Sequence, residues 1–308
     1  MQVRSAWITG VSGFLGQSLA RLLHGAQVRT TGLGRGAREN APLPWLAEYH
    51  QVVLPAPDVQ ELLKRTQPDV IFHCAGSASV ESSFLTPLLD YEQNTGMVVE
   101  LLEAMRRVRS RAKFVLVSSA AVYGDPKELP IGEAAPPSPL SPYGYHKLQA
   151  ELACRKYAEL LSVSTVVARV FSAYGVGLRR QVVWDIARRA VCDEVVTVRG
   201  SGLESRDFIH GKDVARALLL LAESPLGTGE VVNVASGEEV RIGELATQIV
   251  SAVNPDKKIV FNGEFSPGVP QNWRADVSRL RSLGFAASVP LETGIEDLAR
   301  WVKSELGV

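Results

Sequence analysis

Three glycines, Gly10, Gly13 and Gly16, stand between the short apolar run Ala6-Trp7-Ile8-Thr9 and an amphipathic run over residues 17–23. No other feature constrains the chain as strongly. The first glycine allows a tight turn out of a strand, the second lets backbone approach a ligand, and the third lets the next helix pack on the strand. A helix opening here presents free N–H groups and the positive end of its dipole to an anion, above all a pyrophosphate. The pattern therefore demands strand, turn and helix in succession, the first unit of a βαβ series. An ordinary strand-to-helix turn can carry the same glycines, so the weight of the motif comes from its context.

That context is supportive. Further apolar runs at residues 27–33, 51–54, 70–74 and 114–118 read as the second to fifth strands, and 165–171 and 231–234 as later ones. Helical periodicity fills the gaps, most extensively over 88–108 and 143–161. The proline-rich stretch 128–142 excludes a continuous helix or central strand and reads as a loop near the substrate. Alternation of this kind predicts an α/β fold: a Rossmann-type doubly wound parallel sheet with a smaller α/β C-terminal substrate-binding part. In a chain of 308 residues the expected division is 1–170, plus a segment returning at about 206–236, for the dinucleotide, and 171–205 with 237–308 for the substrate.

Charge and cysteine content narrow the function classes. Lys+Arg and Asp+Glu number 33 each, so no global field favours nucleic acid or a membrane surface, and any anionic ligand must be held by local arginines and backbone amides. Cys74, Cys154 and Cys192 are too few and too dispersed for a disulfide framework or a zinc motif. The chain has no apolar stretch long enough to span a bilayer, and it runs from its first residues into the strand and glycine turn. A cytoplasmic protein without metal is expected.

The candidate chemistry lies in Tyr143-Gly-Tyr-His-Lys147. A tyrosine and a lysine four residues apart on a helix share a face. An ammonium beside a phenol favours the phenolate, which would let Tyr143 pass a proton at neutral pH. The same spacing occurs in ordinary surface pairs, but here the pair follows a strand ending in Ser118-Ser119. The end of the second strand reads Gly32-Leu-Gly34-Arg35-Gly36. An acid there would bind the ribose hydroxyls of NAD, whereas a guanidinium can pair with the extra phosphate of NADP. NADP is therefore expected, with NAD possible.

Together these motifs resemble the extended short-chain dehydrogenase/reductase superfamily, the group of nucleotide-sugar epimerases, dehydratases and reductases. The resemblance runs over nearly the whole chain. It implies Ser119, Tyr143 and Lys147 as the catalytic residues. It also implies a dinucleotide site built from Gly10, Gly13, Phe14, Leu15, Gly16, Gly34, Arg35, Ala75 and Gly76, with Tyr143 and Lys147 at its nicotinamide end. Asn94 matches an asparagine of the helix after the fourth strand. Arg206 in Arg206-Asp-Phe-Ile-His210 would grip the diphosphate of a nucleotide-sugar substrate, and His210 would be structural. Ser79, Ser172 and Arg274 are placed on the substrate side.

Two departures stand out. Ser172 follows Phe171 where the family often has asparagine, and Ser266-Pro-Gly-Val-Pro270 lacks the arginine and acid of the usual R-x-G-D-x-P. Arg179, Arg180 or Arg274 would have to compensate. Ala120 and Ala121 stand where sugar 4,6-dehydratases carry an Asp-Glu pair, which argues against dehydration. Arg35 tilts the remaining choice towards reduction of a 4-keto sugar. The alternatives are 4-epimerisation with retained cofactor and a catalytically idle dinucleotide-binding protein. Dimers of this group imply a homodimer joined through helices 88–108 and 143–161.

Overall fold

The computed structural model describes residues 2–37, 43–54, 56 and 58–307. The strands are β1 (Ser5–Thr9), β2 (Arg29–Gly34), β3 (Glu48–Gln51), β4 (Val70–His73), β5 (Lys113–Ser119), β6 (Thr165–Val170), β7 (Ser172–Tyr174), β8 (Val195–Val198), β9 (Ser205–Arg206), β10 (Phe208–His210), β11 (Thr228–Val234), β12 (Val240–Arg241) and β13 (Lys258–Phe261). The helices are α1 (Phe14–Gly25), α2 (Val59–Thr66), α3 (Val80–Leu85), α4 (Pro87–Tyr91), α5 (Met97–Arg107), α6 (Pro142–Leu161), α7 (Gln181–Cys192), α8 (Gly211–Glu223), α9 (Ile242–Val253), α10 (Ser278–Ser282) and α11 (Leu291–Leu306).

Seven strands form one parallel sheet in the order β11-β6-β5-β4-β1-β2-β3. This is the Rossmann-type doubly wound arrangement. Because both faces are covered by helices, the central strands are continuously apolar rather than alternating. Ile8, Phe72 and Val166 join the core beneath α1 and α8, whereas Trp7, Ile71 and Phe114 pack beneath α2, α5 and α6. A separate apolar cluster unites α7, α9 and α11 with the parallel pair β8–β13. Among the described residues no helix is long and apolar enough to cross a membrane.

Two sequence expectations are corrected. The third strand is Glu48–Gln51, not the apolar run 51–54. It is the edge strand, and its Glu48 pairs with Arg29 and Arg65 at 2.8 and 3.1 Å. Charge suits an exposed edge, while Val52, Val53 and Leu54 instead line the large cavity. The long helix expected over 88–108 is interrupted: α4 and α5 are joined by one π-helical turn, Glu92–Gly96. Such turns frequently mark functional positions.

The reversal of strand order on either side of β1 matters most. Successive crossovers leave β1 towards opposite sides, so a crevice opens at the carboxyl ends of β1 and β4. Both the glycine turn and residues 74–76 emerge there.

Candidate active site

A cavity of about 1370 Å³ follows this crevice from the glycine turn, past β5 and α6, to β9 and the loop after β13. That exceeds the ~300–1,000 Å³ of a typical single-ligand site. Its dinucleotide end has little room for side chains. Gly10 has φ +66°, and a Cβ there would lie 2.7 Å from the Ala75 backbone; a Cβ on Gly16 would lie 2.3 Å from the Gly10 carbonyl. The N-terminus of α1 has no side-chain cap and no acid in its first turn, so its amides remain available to a pyrophosphate. On the neighbouring strand, Thr9 Oγ1 lies 2.9 Å from His73 Nδ1 and accepts from the Ala75 amide at 3.3 Å. This ties the two strand ends together. The arrangement fits a dinucleotide.

The other end of that site explains a sequence peculiarity. A side chain at Gly34 would meet the Tyr49 hydroxyl, 2.9 Å from an ideal Cβ, and that hydroxyl donates to the Gly36 carbonyl at 2.6 Å. Arg35 is exposed and lines the cavity. Among the described residues, the carboxylates lining the cavity come from Glu92, Glu100, Glu204 and Glu264, none of them from β2 or residues 34–37.

Ser119, Tyr143 and Lys147 converge on the middle of the cavity. Ser119 ends β5, and its Oγ accepts the Ala121 amide at 3.1 Å while also hydrogen-bonding the Tyr143 phenol. Tyr143 and Lys147 lie in the first turns of α6, started by Pro142 and by Ser141, whose Oγ accepts the Gly144 amide at 3.2 Å. Behind them, Glu151 is buried between Arg169, with contacts of 2.6–3.1 Å, and Ser118, which donates at 2.5 Å. This network fastens α6 to β5 and β6.

Lys147 is 5 % exposed, and its Nζ donates to the Val117 carbonyl at 3.1 Å. Burial pulls its pKa down to about 8, against the favourable charge of Asp90. Burial pushes the Tyr143 phenol above its ordinary value, while a hydrogen bond with Ser119 and the charge of Arg180 act in the opposite direction. The expectation that Lys147 lowers the Tyr143 pKa is thus corrected for this state. The ammonium lies 5.9 Å from the ring centroid, is committed to a carbonyl, and does not outweigh desolvation. Nearby, Asn94 on the π turn is buried with its Oδ1 unpartnered, 2.7 Å from where a Cβ on Gly76 would stand. A side chain at residue 76 would collide with that acceptor and crowd the Lys147 ammonium, 3.5 Å from the same Cβ position.

On the substrate side, Ser172 and Arg206 line the cavity. Arg206 lies 5.5 Å from the Trp273 ring and donates to the carbonyls of Ser205, Pro270 and Gln271 at 2.6–3.0 Å; burial lowers its pKa to about 10. Asp207 accepts from Ser236, Gly237 and Ala275, yet burial raises its pKa to about 6. It knits three segments beneath the arginine. His210 accepts the Lys212 amide as the cap of α8, a structural position.

Two expected residues lie off the cavity. Ser79 caps α3, accepting from the Ser82 amide at 3.1 Å, and only its neighbours Ala78 and Val80 face inward. Arg274 contributes its backbone carbonyl to Ile131, and Trp273 takes the lining position. Arg179 is paired with Glu305 at 2.6 Å. The lining arginines on this side are Arg180, Arg199 and Arg206. Arg199 was not foreseen, although it directly precedes the Gly200-Ser-Gly202 motif.

A Rossmann-type sheet with serine, tyrosine and lysine gathered at its switch point defines an enzyme of the extended short-chain dehydrogenase/reductase superfamily, using a nicotinamide dinucleotide. More specifically, the chain belongs to the NAD dependent epimerase/dehydratase family, whose profile matches residues 6–235. It is 31% identical over 317 residues to the UDP-glucose 4-epimerase of Mycolicibacterium smegmatis, covering 97% of this chain and 98% of that one. Among solved structures, it resembles the UDP-N-acetylglucosamine 4-epimerase of Methanobrevibacter ruminantium in complex with UDP-N-acetylmuramic acid. The TM-score is 0.90, with 27% identity and coverage of 99% and 100% of the two chains. The Thermus thermophilus UDP-glucose 4-epimerase complex with NAD gives a TM-score of 0.87 at 26% identity, covering 97% and 99%.

Proposed function

We propose that this protein is a UDP-sugar 4-epimerase that retains its dinucleotide through turnover. The observation that carries the reading is a single cavity joining the glycine turn, Ser119–Tyr143–Lys147 and Arg206, in a chain similar over its full length to 4-epimerases. Epimerisation replaces net reduction as the favoured reaction, because Arg35 bears on which dinucleotide binds and not on whether it leaves. Small Ala120 and Ala121 supply no further acid or base for dehydration.

The bound nicotinamide supplies the hydride acceptor and donor. Tyr143 takes the proton of the sugar hydroxyl at the reacting carbon and later returns it. Ser119 donates a hydrogen bond to the same oxygen, and Lys147 holds the nicotinamide ribose. Gly10, Gly13, Phe14, Leu15 and Gly16 hold the pyrophosphate, Ala75 and Gly76 border the nicotinamide, and Ser172 and Arg206 take the substrate. Arg35, with no acid from β2 beside it, supports NADP over NAD. Two copies of the chain associate through the exposed apolar side chains of α3, α4 and α6.

The test is to incubate the protein with UDP-glucose and, separately, UDP-N-acetylglucosamine and follow the sugar proton resonances. Interconversion with the C4 epimer, without net change in reduced cofactor, is the expected outcome. Stoichiometric oxidation of NADPH by a 4-keto UDP-sugar, with no epimerisation, would establish the reductase reading instead.

A further inference from the structure

We propose that Arg199 grips the diphosphate of the substrate, restoring from the end of β8 the arginine that the loop at residues 266–270 lacks. The proposal rests on the nucleotide-sugar reading above and adds a residue to its binding site. Arg199 Nη1 lies 3.3 Å from Ser266 Oγ, the hydroxyl at the position where the family motif has its arginine. Both residues line the cavity on the side of Arg206. A cation lost from one strand of chain is thus replaced at the same place by one from another.

Donor counting supports the assignment. A guanidinium has five N–H donors. Arg206 commits three of them to the carbonyls of Ser205, Pro270 and Gln271, which makes it as much a tie for the loop as a ligand for phosphate. Arg199 commits one, through the long contact to Ser266. Among the described residues it has no carboxylate within 4.0 Å; Asp185 senses its charge from farther away. Arg180 also faces the cavity, but its charge acts on Tyr143 and therefore belongs to the reacting end. A diphosphate carries two negative charges, which a second cation beside Arg206 would help to balance, and Arg199 is the less committed arginine there.

The backbone carrying Arg199 is held from both sides. The Val198 carbonyl accepts the Asn262 amide at 3.1 Å, and the Gly200 carbonyl accepts the Gly263 amide at 3.0 Å. Gly200 has φ +91°, and a Cβ there would collide at 2.8 Å with the Glu204 carboxylate, itself bonded to the amides of Ser201 and Gly202. Only the side chain of Arg199 has freedom to close on a ligand.

The test compares UDP with uridine. By calorimetry, Arg199→Ala should weaken UDP binding about ten- to a hundredfold, the usual worth of a charge-assisted contact. Competition by uridine, dinucleotide affinity and melting temperature should stay at wild-type values. Arg199→Ala/Ser266→Arg should recover most of the lost UDP affinity, and Arg199→Lys should fall between. Wild-type UDP affinity in Arg199→Ala would overturn the proposal, as would an equal loss for uridine, which would place the side chain on the base. Wild-type protein that binds no UDP would instead overturn the nucleotide-sugar reading, and this proposal with it.

Discussion

Tyr143 and Lys147 show how burial creates and constrains a reactive pair. Desolvation raises the Tyr143 phenol, which favours giving a proton, whereas taking one from a sugar hydroxyl requires the Ser119 hydrogen bond and neighbouring cations to favour the phenolate. Tyr143→Phe keeps the ring and removes that proton. Steady-state kinetics should show turnover falling by about 10²–10⁴-fold with KM little changed. Lys147 imposes a stability cost because its folded-state pKa, about 8, lies below its ordinary value of 10.5. Below pH 8 it is charged in both folded and unfolded chains, and the burial cost is present in full. As pH rises towards 10.5 the folded chain loses the proton first, the unfolded chain binds more protons, and stability recovers. Denaturant titrations of wild type and Lys147→Met should therefore shift in favour of wild type by on the order of 3 kcal/mol across that window. A pH-independent difference would show that Lys147 is not buried as an ammonium. Tyr143 and Lys147 were legible beforehand because a four-residue spacing on a helix puts them on one face, and Ser119 only through the family resemblance of the strand end that carries it. Arg199 was not, because its neighbour Ser266 is 67 positions away along the chain.

At the scale of elements, the exposed side of α3, α4 and α6 is unusually apolar. Leu85 is 77% exposed and Leu88 70%, with Phe84, Leu89, Tyr145 and Leu152 also exposed. A face of this kind on a folded chain marks an association surface. Leu88→Arg with Leu152→Arg should convert a dimer to a monomer in light scattering, leaving the melting temperature of the single chain intact. A wild-type monomer at micromolar concentration would refute the association. The interrupted helix over residues 87–107 explains why periodicity went only part of the way. The pattern continues across the π turn, but the extra residue per turn redirects Asn94 inward, beside Gly76. Ser79 likewise carried no sequence mark distinguishing a helix cap from a ligand residue.

For the whole molecule, one continuous cavity runs from the glycine turn to Arg206, so the proposed substrate and dinucleotide would share one space. An epimerase of this design should keep its dinucleotide. Denaturing the purified protein and identifying the released cofactor by mass spectrometry should yield a near-stoichiometric nicotinamide dinucleotide. If Arg35 meets the 2′-phosphate it should be NADP, with Arg35→Ala weakening NADP about ten- to a hundredfold in calorimetry and leaving NAD unchanged. Release of NAD together with equal affinities for both forms would reject the Arg35 assignment. Freely exchanging cofactor would point back to the reductase. The parallel sheet, the glycine turn and the tyrosine–lysine pair were determined by the sequence itself. Their signals are local: an apolar strand, a φ-permissive turn, two side chains one helical turn apart. Tertiary structure alone decided the rest. The edge strand Glu48–Gln51 was selected by pairing with β2 and Arg65, Lys147 lost its solvent to α6 packing, and Arg199 met Ser266 through β8–β13 pairing. Desolvation and long-range contact depend on which segments are brought together, and the local pattern of a chain does not contain that.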